Sequence, residues 1–438
     1  MNLEQILKNE RYLVSILILV VLFLIFIFPG PQLETKSAEW YCQEGKSYLE
    51  IGDYEKAKEA FAKILETDFS CPIAYFGMGR AALINDNYDE AEGYFKKSFS
   101  FKHEPFSKSN MYLELSQTYL LKGDCESSIE SANLALDKAN QEIEDPELKK
   151  IIEADVYIAE GSASMCLGDT DVALDYFNKA LAIEITDGIT STLTAIKTYG
   201  ALGTYYLALT DYQKAKESFE MLLSVETDNP LKQLAYLGLG RAYFGLKDFQ
   251  EAVNSLQIAL QFLENSNLQI PAKSLYLLET HQQLGRSYFA LLDYTKAEEE
   301  FKKALEESTN IKSNPDYEPF FAAASASLGL GRTALAQEGF AAAKQYFESG
   351  LNSLEDSKPE YFYEILNNNF LNIIFHYELA ETYFGQEDLE KAKDEIGKAQ
   401  SLIQALSEQD YSAIEKNQWF EDDQSIFQKV SSLKNKLD

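Results

Sequence analysis

The chain has 438 residues and a net charge of −31, with 39 lysines and arginines against 70 aspartates and glutamates. That balance excludes a nucleic-acid binder, because phosphate recognition needs a basic footprint. The length suits two or three globular domains or one array that grows by stacking, and the pattern along the chain selects the array.

Residues 1–12 form a short tail, with Lys8 and Arg11 ahead of an apolar run from Leu13 to Phe28 in which Ser15 is the one polar member. As a helix, this run reaches about 24 Å, short of a ~30 Å hydrocarbon core, so Tyr12, Pro29 and local thinning must complete a span. We read it as a single uncleaved transmembrane anchor. A cleaved leader is the rival reading, but no Ala-x-Ala site lies close behind it, and Pro29-Gly30-Pro31 suits a peptidase poorly. The cationic bias before the span predicts a cytoplasmic N-terminus and a periplasmic or otherwise extracytoplasmic remainder. Residues 29–37 are a linker, and the charges up to residue 37 cancel (Lys8, Arg11 and Lys36 against Glu4, Glu10 and Glu34). The whole acidic excess therefore falls on residues 38–438, where it keeps an extended protein soluble or meets a basic partner.

From residue 38 to about 400 one two-helix unit recurs nine times. Its first helix carries a small residue: Gly45, Gly79, Ser116, Gly161, Gly203, Gly240, Gly285, Gly331 and Ala380. A tyrosine often stands three residues later, as at Tyr48, Tyr119, Tyr206, Tyr243, Tyr288 and Tyr383. The turn reads Gly123-Asp124, Gly168-Asp169 or Lys247-Asp248, where glycine supplies a left-handed helix end and aspartate caps the next helix. The second helix is marked by Ala57, Ala91, Ser128, Ala173, Ala215, Ala252, Ala297, Ala343 and Ala392, often with phenylalanine four residues on, as at Phe61, Phe95, Phe177, Phe219, Phe301 and Phe347. Residues 401–438 are predicted to form a polar C-terminal capping helix, with Trp419 and Phe420 covering the last unit.

This small–tyrosine–turn–Ala-x-x-x-Phe grammar resembles the tetratricopeptide repeat family, although the terminal proline survives best only at Pro72 and Pro105. The resemblance implies an all-α, right-handed α-α solenoid of about nine helix pairs behind the transmembrane helix. It also implies a concave groove, lined by the first helices, that takes a protein or peptide ligand. Arg80, Arg241, Arg286 and Arg332 each come directly after the small residue of a first helix, and Phe244, Phe289 and Leu335 lie three residues beyond the last three. Such a row can grip an acidic peptide or a terminal carboxylate. The alternative is that these arginines neutralise the protein's own glutamates.

The remaining chemistry is sparse. His103, His281 and His376 stand in no metal-ligand spacing, and His281 and His376 replace an aromatic of the first helix, so packing is expected and neither metal nor cofactor is. With no phosphate-cradling glycine loop and no catalytic constellation, an enzyme is not expected. Cys42 and Cys71 fall on one edge of the array, Cys125 and Cys166 on the other. They are either buried thiols, since neighbouring helices usually hold Cα atoms beyond bonding reach, or disulfides that join neighbouring units on both edges. Function is thus expected to be that of a membrane-anchored scaffold or adaptor, or alternatively of a chaperone-like assembly factor for an envelope, pilus or secretion complex. The sequence leaves the oligomeric state open.

Overall fold

The computed structural model describes residues 37–50, 54–65, 72–84, 87–99, 105–187, 192–225, 235–265, 273–311, 320–355, 362–406 and 426–437. The predicted anchor Leu13–Phe28, with its tail and linker, lies outside these residues, as do Cys71, His103, Trp419 and Phe420. Among the described residues there is no strand, and no helix is long and apolar enough to cross a membrane.

Nine antiparallel helix pairs succeed one another among the described residues: α1 Ala38–Glu50 with α2 Tyr54–Leu65, α3 Pro72–Ile84 with α4 Tyr88–Ser98, and α5 Pro105–Leu121 with α6 Cys125–Glu142. Next come α7 Pro146–Leu167 with α8 Thr170–Asp187, α9 Thr192–Ala208 with α10 Tyr212–Ser224, and α11 Ala235–Gly245 with α12 Phe249–Asn265. The last three are α13 Lys273–Ala290 with α14 Tyr294–Ile311, α15 Phe320–Ala336 with α16 Phe340–Glu355, and α17 Phe362–Gly385 with α18 Leu389–Ala405. A final helix, α19 Ile426–Leu437, packs on α17 and α18.

The two helices of a pair are built differently because their surroundings differ. A second helix buries one stripe, such as Ala297, Phe301 and Ala304 of α14, and leaves the rest to water. A first helix is covered on several sides: α13 buries Leu278, Thr280, His281, Gln282, Leu284, Gly285 and Tyr288. The reason is stacking. Each first helix touches the first helix of the next pair, from α1 with α3 through to α15 with α17, and no second helices of neighbouring pairs make comparable contact among the described residues. Close approach on one side and splay on the other curve the array, so the first helices line its concave face.

Pair spacing is set by phenylalanine rings lying on glycines. A Cβ placed on Gly45, Gly79, Gly161, Gly203 or Gly285 would sit 2.5 to 2.8 Å from the ring of Phe61, Phe95, Phe177, Phe219 or Phe301 of its own pair. Phe301 is also pressed from the far side, where a Cβ on Gly329 of the next first helix would come within 2.5 Å of it. Even a methyl is therefore too large opposite phenylalanine. Where the small site is Ser116 or Ala380, the facing position is Ala132 or Ile396, not an aromatic.

The turns keep the left-handed residue but not the glycine. Gly123 and Gly168 have φ of 76° and 84°, whereas Thr210, Lys247, Leu292, Glu338 and Glu387 hold φ between 56° and 63° at the same place. Backbone hydrogen bonds compensate: the N–H groups of Asp124, Asp211, Asp248, Asp293 and Asp388 donate to the carbonyls of Tyr119, Tyr206, Tyr243, Tyr288 and Tyr383 at 2.8 to 3.0 Å. Each of those aspartates also accepts from the N–H three residues on, capping the second helix.

At the C-terminal end, α18 runs to Ala405. The face that closes the stack is Ile426, Val430, Leu433 and Leu437 of α19, all buried.

Candidate functional site

The concave face brings the sequence-selected arginines onto one side, where each is engaged by the protein's own groups. Arg80 Nε lies 3.5 Å from Glu114 Oε1, Arg241 NH1 lies 3.2 Å from Glu279 Oε1, and Arg332 Nε donates to Glu378 Oε1 at 2.7 Å. Every one of these pairs joins a first helix to the first helix of the following pair. A fourth tie of the same kind links Asp155 to Lys197 at 2.9 Å. Arg286 differs, because the site that an acid occupies in the next helix is Gly329. Its guanidinium instead lies 4.5 Å from the centre of the Phe244 ring, and NH1 donates to Gln283 at 3.4 Å.

The acids were missed by reading each unit alone. Glu114 and Glu378 sit two residues before the small residue of the next first helix, so an arginine just after that landmark in one unit predicts an acid just before it in the following unit. In the pair α13–α14 that place is Gln283, and Arg241 reaches one turn further back, to Glu279.

With the arginines so occupied, the first helices of pairs six to nine each carry one apolar side chain near their end: Phe244, Phe289 and Leu335, all half-buried, and, in the last pair, the exposed Phe384, whereas the corresponding Leu83 and Leu207 of earlier pairs are buried. Phe244 and Phe289 lean on Phe249 and Tyr294 at ring separations of 5.4 and 5.5 Å, and Leu335 packs on the C-terminal core. Phe384 is 38% exposed. In that pair the arginine site is held by Glu381, which accepts from Tyr377 Oη at 2.8 Å. Burial, and then Glu381, raises the Tyr377 phenol well above its usual range.

Cys125 and Cys166 are joined by a disulfide with Cα atoms 6.1 Å apart, tying α6 to α7 across neighbouring pairs at the turn edge. Cys42 is disulfide-bonded as well. His281 and His376 are not bare packing residues: each places Nδ1 2.6 Å from a carboxylate of the partner helix, Glu300 and Glu395. Burial raises the pKa of both acids, but His281 with Lys303 and His376 with Lys398 outweigh it, so both stay below the usual range. Among the described residues no cluster of histidine, cysteine and acid is arranged to hold a metal.

Comparison with known proteins agrees with this architecture. Tetratricopeptide repeat models match residues 42–98, 201–266 and 278–310. TPR repeat-containing protein MJ1428 of Methanocaldococcus jannaschii is 27% identical over 202 residues, 45% of this chain, and the match spans about a third (31%) of that relative's length. Tetratricopeptide repeats are thus present at residues 42–98, 201–266 and 278–310. Among solved structures, the apo form of RapI superposes with a TM-score of 0.51 at 11% identity, covering 91% of this chain and 97% of RapI. A Rap protein complexed with competence and sporulation factor gives 0.48 at 12% identity, covering 84% of this chain and 98% of that one. At such identities the similarity speaks for the fold alone.

Proposed function

We propose that this protein is a non-enzymatic, membrane-anchored adaptor that holds a segment of another protein in its concave face, on the extracytoplasmic side. The observation that carries the reading is the first-helix face itself, which is curved inward and, in pairs six to nine, supplied with one apolar side chain per pair beside charges that are already paired. Such a surface gains free energy by burial against a ligand and loses little by desolvating charge. The location rests on two supports: the apolar run Leu13–Phe28 behind Lys8 and Arg11, and a disulfide, a bond that persists in oxidising compartments.

A photoreactive phenylalanine analogue at Phe289 tests the face. It should cross-link a partner in intact membranes, whereas the same probe at Lys302, exposed on α14, should not. Equal capture from both positions, or none from Phe289, refutes the groove. Protease added to spheroplasts tests the side, since the repeats should be digested before the membrane is broken.

A further inference from the structure

We propose that the segment held in pairs six to nine is basic as well as apolar, not acidic; this rests on the groove reading above. Arg241 and Arg332 are committed to Glu279 and Glu378, and Arg286 to Phe244 and Gln283. An acidic ligand would have to take an arginine from its partner. At Arg332 that would break its hydrogen bond to Glu378, whose side chain is only 9% exposed. It would also approach a body of net charge −31, whose field repels anions and draws in cations.

The contact surface fixes the rest of the ligand's character. Neighbouring first helices pack roughly 8 to 10 Å apart, which is about three residues of polyproline II chain at ~3.1 Å each, a conformation that brings every third side chain back to one face. Phe244, Phe289, Leu335 and Phe384 then match apolar side chains at every third position, with lysine or arginine between them facing the acidic surroundings. The chain's own segment 407–425 is a poor occupant, because its six acids against Lys416 make it acidic too.

Two synthetic peptides decide the question. Both carry leucine at every third position, with lysine between in one and glutamate between in the other, and each is titrated into the full-length protein in detergent by fluorescence anisotropy. The lysine peptide should bind at least tenfold more tightly at low salt, and its advantage should shrink as salt screens the field. Phe384→Ala, at the most exposed of the four positions, should weaken it at least fivefold, and Lys302→Ala on the outer surface should not. Equal or tighter binding of the glutamate peptide overturns the inference, as does a lysine preference indifferent to salt. If neither peptide binds while Phe289 still cross-links a partner, the groove stands and its basic ligand does not. If the lysine peptide binds regardless of Phe384→Ala and Phe289→Ala, both readings fail.

Discussion

Replacing Gly285 by alanine and Gly397 by alanine is one chemical change in two helix interiors, and the structure predicts opposite signs. At Gly397 a new Cβ meets nothing within 4 Å, so alanine should stabilise α18 by about 0.5 to 1 kcal/mol through helix propensity alone. At Gly285 the same gain is opposed, because the methyl would lie 2.8 Å from Phe301 Cδ1 while Gly329 blocks the ring's retreat. Overpacking of this kind costs about 1 to 3 kcal/mol, leaving a net loss of up to roughly 2.5 kcal/mol. The last pair indicates a rescue, since Ala380 there faces Ile396, both buried. Phe301→Ile alone should destabilise by about 1 to 2 kcal/mol through lost ring volume. Combined with Gly285→Ala it should cost at least about 1 kcal/mol less than the sum of the single changes. Urea titration followed by circular dichroism gives the midpoints. Hydrogen exchange in α13 and α14 localises the effect, which matters because stacked repeats need not unfold in one step. A Gly285→Ala protein as stable as Gly397→Ala, or additive single and double variants, would refute the ring-on-glycine account of pair spacing.

Leu292 is 70% exposed with φ of 62°, so Leu292→Gly should raise the thermal midpoint by relieving about 1 kcal/mol of left-handed strain, and a lowered midpoint would count against it. Burial raises the pKa of Glu92, but hydrogen bonds from Lys122, Lys96 and Tyr119 outweigh it and hold the carboxyl at about 2. A depressed carboxyl stabilises the fold above its unfolded value of 4.5, and that contribution is lost as pH falls from there through about 2. Acid unfolding of Glu92→Gln should therefore show a shallower slope across that window, with about 1 to 2 kcal/mol less stability at neutral pH after allowing for screening. Arg332→Ala should destabilise by roughly 1.5 to 3 kcal/mol by removing the charge-assisted bond to the buried Glu378. An unchanged midpoint for Arg332→Ala would show that this inter-pair tie contributes nothing. Cys125 and Cys166 should resist alkylation in the folded protein until a reductant is added.

The array is legible in the chain alone: nine units and the pairing of a small residue with a large one, because each unit must present the same faces to its neighbours and therefore repeats its side-chain pattern, whereas the exact borders of the helices are not. The turns are legible too, although glycine is only a partial guide to them. Left-handed backbone at Thr210, Lys247 and Leu292 is enforced by the Schellman-type bonds to the tyrosine carbonyls and not by residue type. The fate of the polar groups, in contrast, emerges only from the packed helices. Arg332 and Glu378 are 46 residues apart and His376 and Glu395 are 19 apart, and neither separation is a helical period. Such pairs depend on the stagger between helices, which side-chain volumes at every interface set together. The same holds for Cys125 and Cys166: thiols in neighbouring units come within bonding reach only because the turn edge of one pair falls beside the helix end of the next.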